Sequence, residues 1–261
     1  MSDGSTRRPL EGEVALVTGA SGGIGGAIAR RLAALGARVV LHHHTGRAAA
    51  EALAVELGGT QAGHGALGAD LRDPEAVRTL VEAAASRHGR LDVLVNNAGL
   101  YELAPPLRTS YADFQAHLRR MLETNFLSAA HASYCAAQIM AKAGAGRIVN
   151  VGSRGAFRGE PDALGYGASK AALHQLTQSL AQALAPAGIS VFAVAPGFVE
   201  TAMARPHLTD EKAAAIAAQS PFGRIARVED VAYFVGCLAS KEAAFASGAI
   251  VDVNGASYLR T

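Results

Sequence analysis

Several residue types that mark whole classes of protein are scarce in this chain. Among 261 residues there are two cysteines, no tryptophan and 5% aromatic side chains. Cys135 and Cys237 stand far apart with no CxxC spacing, which excludes a disulfide scaffold and suggests neither a zinc site nor a redox pair. They read as core thiols of a cytoplasmic protein. No run of about 18 uninterrupted apolar residues occurs, so no membrane span is expected. Arg7 and Arg8 near the start are followed by Pro9, Glu11, Gly12 and Glu13, which break up any apolar stretch of signal length, and no export signal is expected. An excess of one charge is missing too: 24 Lys+Arg against 22 Asp+Glu leave +2, too little for bulk attraction to nucleic acid or an anionic membrane. Any ligand must be recognised locally.

What the chain has in quantity is apolar surface. With 50% hydrophobic and 18% charged residues it can fill one large core, which excludes disorder and collagen-like repeats. Residues 1–12 are polar and without periodicity, and are expected to form a flexible leader before a single domain over 13–261. From Val14 onward, short β-branched runs at 14–17, 38–41, 91–95, 147–151, 189–195 and 249–253, with a weaker one at 64–68, alternate with Ala/Leu-rich stretches of helical period. That alternation predicts an α/β fold, a doubly wound parallel sheet of about seven strands with helices on both faces. Two helical stretches, 124–141 and 171–188, contain no Lys, Arg, Asp or Glu. Such a helix is either sandwiched in the core or covered by another subunit, and the second reading predicts a homo-oligomer, a tetramer.

The unusual residues gather at strand ends. The first strand runs into Thr18, Gly19, Ala20, Ser21, Gly22, Gly23, Ile24 and Gly25, a turn through which backbone N–H groups at a helix start can approach a pyrophosphate. A plain tight turn would look the same. Asp70-Leu71, Asn96-Asn97-Ala98-Gly99, Ser153 and Pro196-Gly197 each follow a later strand, at the sheet edge where ligands bind in open parallel sheets. Tyr166 and Lys170 share one helical face at i,i+4 spacing. Bringing a phenol from a pKa near 10 to ~7 takes roughly 4 kcal/mol. A lysine charge ~4 Å away supplies that order, which would make the pair a general acid or base; an amphipathic tyrosine beside a solvated lysine is the plainer alternative.

This constellation, together with Asn125 and the 13-residue interval from Ser153 to Tyr166, resembles the classical short-chain dehydrogenase/reductase family, over about residues 14–255. The resemblance implies that Tyr166 passes a proton to or from a carbonyl oxygen as hydride moves at a nicotinamide. Lys170 would lower the tyrosine pKa and bind the nicotinamide ribose, Ser153 would hold the carbonyl oxygen, and Asn125 would hold a water linking Lys170 to solvent. It further implies cofactor contacts from Gly19, Ser21, Gly22, Gly23 and Ile24, from Asp70 and Leu71 on the adenine, from Asn97, Ala98 and Gly99, and from Pro196, Gly197, Val199 and Thr201. Residues 200–221 would form a lid in which Met203, Arg205 and His207 shape specificity.

Family members that prefer NAD carry an acid at the end of the second strand, which repels a 2′-phosphate. Here His43 holds that position, so NADP is favoured over NAD, with His43, His44, Thr45 and Arg47 as its neighbours. Gly22 stands where many NADP-dependent relatives have a basic residue. His42 and His44 point to one strand face, yet no Cys or acid close in sequence completes a set of ligands, and no metal is expected. The substrate is expected to be a small carbonyl compound or secondary alcohol, a ketone or 3-oxoacyl group. Arg154 and Arg158 could meet an anionic substrate tail or be solvated loop arginines. Carrier-protein reductases dock their acidic partner on basic residues that the uncharged helices lack, although Arg119 and Arg120 lie nearby. The alternatives are an NAD-dependent alcohol or sugar dehydrogenase, and a nonenzymatic dinucleotide-responsive regulator.

Overall fold

The computed structural model describes residues 8–201 and 209–260. Seven strands, β1 (Val14–Val17), β2 (Arg38–His43), β3 (Gly65–Gly68), β4 (Val93–Asn96), β5 (Gly146–Val151), β6 (Ile189–Pro196) and β7 (Ile250–Val253), form one sheet in the order β3-β2-β1-β4-β5-β6-β7. Every neighbouring pair is parallel. The central strands are buried on both faces, which is why they read as continuous apolar runs rather than alternating ones. Strand period 2 then divides their side chains between two cores. Ala15, Val17, Val39, Leu41, Val93, Val95, Val149 and Val151 join one, beneath α1 (Gly23–Ala34) and α8 (Val228–Leu238). Val14, Leu16, Val40, Leu94, Ile148 and Val191 join the other, beneath α3 (Pro74–Ser86) and α5 (Ser128–Ala143). Strand order reverses between β1 and β4, which opens a crevice at the carboxyl ends of the strands.

The predicted single α/β domain is therefore the observed one, with local differences. β2 runs two residues further than its apolar core, to His43, because His42 and His43 pair with β3. β4 begins at Val93 because the Asp92 carboxylate accepts the Val14 N–H at 2.8 Å just before the ladder starts. The leader expected over 1–12 does not extend that far: Leu10 is fully buried and its N–H donates to the Leu35 carbonyl at 2.9 Å. Residues 1–7 lie outside the described residues.

The first uncharged stretch is a π-helical turn at Glu123–Leu127 leading into α5; the second belongs to α6 (Leu164–Leu184). Their inner sides are buried, whereas Tyr134 on α5 and Gln175, Gln178, Ser179 and Gln182 on α6 are exposed.

Candidate active site

The glycine loop owes its shape to close approaches. Gly19 has φ +63°, and a Cβ on Gly25 would overlap the Gly19 carbonyl oxygen, so β1 and α1 can meet this tightly only without side chains. At Gly22, by contrast, a Cβ would meet nothing within 4 Å, and Gly22 caps α1 with no side-chain hydrogen bond. Gly22 thus puts no side chain over the start of α1, where a pyrophosphate would have to approach the helix. Three side chains brace the loop. Thr18 Oγ1 accepts the N–H groups of Asn97 (2.9 Å) and Ala98 (3.0 Å). Asn97 Nδ2 donates to the carbonyls of Thr18 (2.9 Å) and Gly19 (3.2 Å). His42 Nδ1 accepts the Gly19 N–H at 3.0 Å, which leaves Nε2 as the protonated nitrogen, 3.1 Å from the Ala69 carbonyl.

At the far end of the crevice, the residues assigned to the adenine side separate. His43 is buried, its ring packed on Gly68, while His44 and Thr45 are exposed at the rim, where Gly46 abuts Ser21. Arg47 is engaged by Glu51 at 2.8 Å. Leu71 is buried, and Asp70 is held by Arg72 at 2.6 Å, a pairing that keeps its carboxyl well below the usual carboxylate range.

Past β5, Ser153 is extended and its Oγ accepts the Gly155 N–H at 3.0 Å. Tyr166, in the first turn of α6, has its phenol beside the Ser153 hydroxyl, which favours the phenolate, and Tyr101 stands edge-on to its ring at 4.9 Å between centroids. Lys170, one turn on, is buried and donates to the Val151 carbonyl at 2.8 Å. The structure therefore brings Ser153, Tyr166 and Lys170 together. It corrects the electrostatics expected of them. Lys170 Nζ is 5.9 Å from the phenol ring centre and is aimed at Val151. Burial pushes the Tyr166 pKa up, and the Ser153 hydroxyl offsets this in part. Burial also lowers Lys170 to about 8, so its ammonium remains charged at neutral pH.

Asn125, in the π-helical turn, accepts the Leu100 N–H at 2.7 Å and donates to the Leu100 carbonyl and to Ser169 Oγ, each at 3.0 Å. Its side chain is thus a brace between the loop after β4 and α6. A Cβ on Gly99 would sit 3.1 Å from Asn125 Oδ1 and 3.4 Å from Lys170 Nζ, so this glycine lets the two approach. Gly197 follows β6 and donates to the Val253 carbonyl at 3.1 Å, Val199 is buried, and Thr201 lies over Gly23. Helix α7 (Asp210–Ala217) occupies part of the expected lid; Met203, Arg205 and His207 lie outside the described residues. Arg158 is 3.5 Å from Glu160, whereas Arg154 is buried.

Sequence reasoning missed the loop-holding role of His42 and a buried polar network. Asn96 Nδ2 donates to Ser133 Oγ (2.9 Å) and Asn150 Oδ1 (2.8 Å), and Asn150 Nδ2 donates to Thr177 Oγ1 (2.9 Å). Two asparagines inside apolar strands were the available signal, since such groups persist only when bonded. It also missed His174, buried one turn beyond Lys170 against Phe157, with neither ring nitrogen bonded among the described residues.

Burial lowers His42 and His174 to about 4, from ~6.5 in an unfolded chain. Because both values are depressed on folding, the associated stability is complete above about pH 6.5 and drains as pH falls toward 4, by about 3 kcal/mol per ring. Denaturation midpoints should therefore drop steeply between about pH 6.5 and 4.5. A flat profile would contradict neutral, buried rings.

A crevice with a glycine loop at one end and a hydroxyl, a phenol and an ammonium converging at the other defines a nicotinamide-dependent oxidoreductase acting on alcohol or carbonyl groups. The model of the short chain dehydrogenase family matches residues 13–212, and the chain belongs to that family. It is 39% identical over 250 residues to the 3-oxoacyl-[acyl-carrier-protein] reductase FabG of Escherichia coli, covering 96% of this chain and 99% of that one. It is 41% identical over 244 residues to the cis-4-hydroxycyclohexanecarboxylate dehydrogenase of Sinomonas cyclohexanicum, covering 93% and 95%. Among solved structures, a candidate short-chain alcohol dehydrogenase from Sinorhizobium meliloti superposes with a TM-score of 0.88 at 36% identity, covering 96% of this chain and 98% of that one.

Proposed function

We propose that this protein is an NADP(H)-dependent reductase of a small ketone or 3-oxoacyl compound, with Ser153, Tyr166 and Lys170 as catalytic residues and Asn125 holding them in place. The observation that carries the reading is the convergence of these side chains beyond the carboxyl end of β5, beside the crevice. A nicotinamide bound there would supply or accept hydride. The glycine loop from Gly19 to Ile24 would hold the pyrophosphate, with Asp70, Leu71, Asn97, Ala98 and Gly99 toward the adenosine and Pro196, Gly197, Val199 and Thr201 toward the nicotinamide. Tyr166, kept protonated at neutral pH by burial, would deliver its proton to the substrate oxygen that Ser153 orients. Lys170 stays charged beside it and stabilises the phenolate left behind.

The preference for NADP rests on the missing acid at His43 and on the exposed His44 and Thr45 at the rim. His43→Asp is expected to weaken NADPH binding by tenfold or more relative to NADH in fluorescence titrations; an unchanged ratio removes the charge argument. The two relatives suggest substrates to try, 3-oxoacyl thioesters and 4-oxocyclohexanecarboxylate. Consumption of NADPH with either, NADH being assayed in parallel, tests the proposal; oxidation of neither cofactor by any carbonyl compound counts against it.

A homotetramer assembled through the uncharged outer faces of α5 and α6 belongs to the same reading, as does a cytoplasmic location for a chain whose two cysteines are free. No helix among the described residues is long and apolar enough to cross a membrane. Sedimentation at micromolar concentration is expected to give the tetramer, and a monomer there would leave those faces unexplained.

A further inference from the structure

Next to the reaction crevice lies a second concavity, of about 300 Å³, between the ends of β6 and β7 and helices α7 and α8. Arg154 and Phe198 line it, and these residues directly follow Ser153 and Gly197 of the crevice. Its apolar wall also includes Ile216, Phe222 and Phe234.

Arg154 is 8% exposed, and among the described residues its guanidinium makes no ion pair; its one side-chain hydrogen bond goes from Nη1 to the Ser257 hydroxyl. The two carboxylates on the wall are already taken. Asp230 is bound by Arg224 at 2.6 and 3.0 Å, and Asp252 by Arg260 at 2.8 Å. Glu160, whose charge also reaches Arg154, pairs with Arg158 at 3.5 Å. A buried guanidinium with no acid of its own is costly and is retained where an anion completes it. The C-terminal segment builds the site around that cation. Asn254 Nδ2 donates to the Tyr258 carbonyl at 3.0 Å, the Tyr258 hydroxyl donates to the Phe157 carbonyl at 3.2 Å, and Ala256 takes φ +56° to bring Ser257 onto Arg154. Strain in a residue other than glycine is tolerated where the surroundings fix it, commonly at binding sites.

We propose that this concavity binds the carboxylate of a small organic acid with an apolar body, Arg154 holding the carboxylate and Phe198, Phe222 and Phe234 enclosing the body. A volume of this size suits one ring or a short branched chain. The acid is either the substrate's own tail or a separate molecule.

Calorimetric titration of the full-length protein with cyclohexanecarboxylate, which has no carbonyl to reduce, tests the site independently of any activity. Saturable binding is expected, at least tenfold tighter than for the methyl ester. Arg154→Gln should weaken it thirtyfold or more and Arg154→Lys by less. The Gln variant should also melt no lower than the parent, because it removes a charge that lacks an acid, whereas loss of a merely structural arginine lowers the melting temperature. Equal binding of acid and ester, no saturable binding, or wild-type binding by Arg154→Gln overturns the proposal. Competition then separates the sources: inhibition of 4-oxocyclohexanecarboxylate reduction competitive with that substrate marks the substrate's tail, and noncompetitive inhibition a separate acid. Acid binding without any ketone reduction would defeat the proposed function and leave this site standing. Ketone reduction without acid binding would do the reverse.

Discussion

Tyr166→Phe is expected to lower kcat by at least about 10²-fold while leaving NADPH binding within about twofold of the parent, the size of effect that loss of a general acid produces. The substitution removes a single oxygen. The phenyl ring keeps its edge-on contact with Tyr101, and Lys170 keeps its bond to the Val151 carbonyl, so the pocket wall and the charge behind it survive. What goes is the proton that burial holds on the phenol and the contact with the Ser153 hydroxyl. Pre-steady-state mixing separates these from cofactor effects, because NADPH affinity is read before any carbonyl is added. If hydride transfer in the variant ran near the parental rate, the proton would have to come from elsewhere, and neither Ser153 nor Lys170 could then be placed by reference to Tyr166.

The strands and the site motifs were legible because both are local. A strand buried on both faces shows as an apolar run, and the Tyr166–Lys170 relation needs only the pitch of one helix. What the sequence concealed depends on partners distant along the chain. Arg154 reads as a loop cation until Ser257 is folded over it. His42 reads as one of three consecutive histidines until the Gly19 N–H is seen to need its Nδ1. Leu10 belongs to a polar leader until Leu35 takes its N–H. The electrostatic expectation for Tyr166 failed for a related reason. Helix spacing sets how near Lys170 could come, but the nearby Val151 carbonyl decides where the ammonium points, and the cost of burying a phenolate exceeds what the Ser153 hydroxyl returns.

Gly152→Ala is expected to destabilise the protein by about 2–3 kcal/mol, within the range for forcing atoms into a packed interior, and to depress catalysis with it. Gly152 joins Val151, whose carbonyl anchors Lys170, to Ser153, and its own N–H donates to the Val194 carbonyl at 2.8 Å. A Cβ here would overlap His174 Nε2, lie 2.6 Å from Cδ2 of the same ring, and meet the Val194 carbonyl at 3.0 Å. The strand end cannot retreat without dragging both catalytic anchors, so the ring has to yield, yet it is confined by Phe157 at 4.8 Å between centroids. His174→Ala should therefore rescue Gly152→Ala. The smaller side chain opens the space that the new methyl group needs and discards two buried nitrogens without partners. In a double-mutant cycle the pair should couple favourably by at least ~1 kcal/mol, the scale seen for residues in direct contact, with kcat recovering alongside stability. Strictly additive losses would place the strain in the Val194 contact and take His174 out of the support of Lys170.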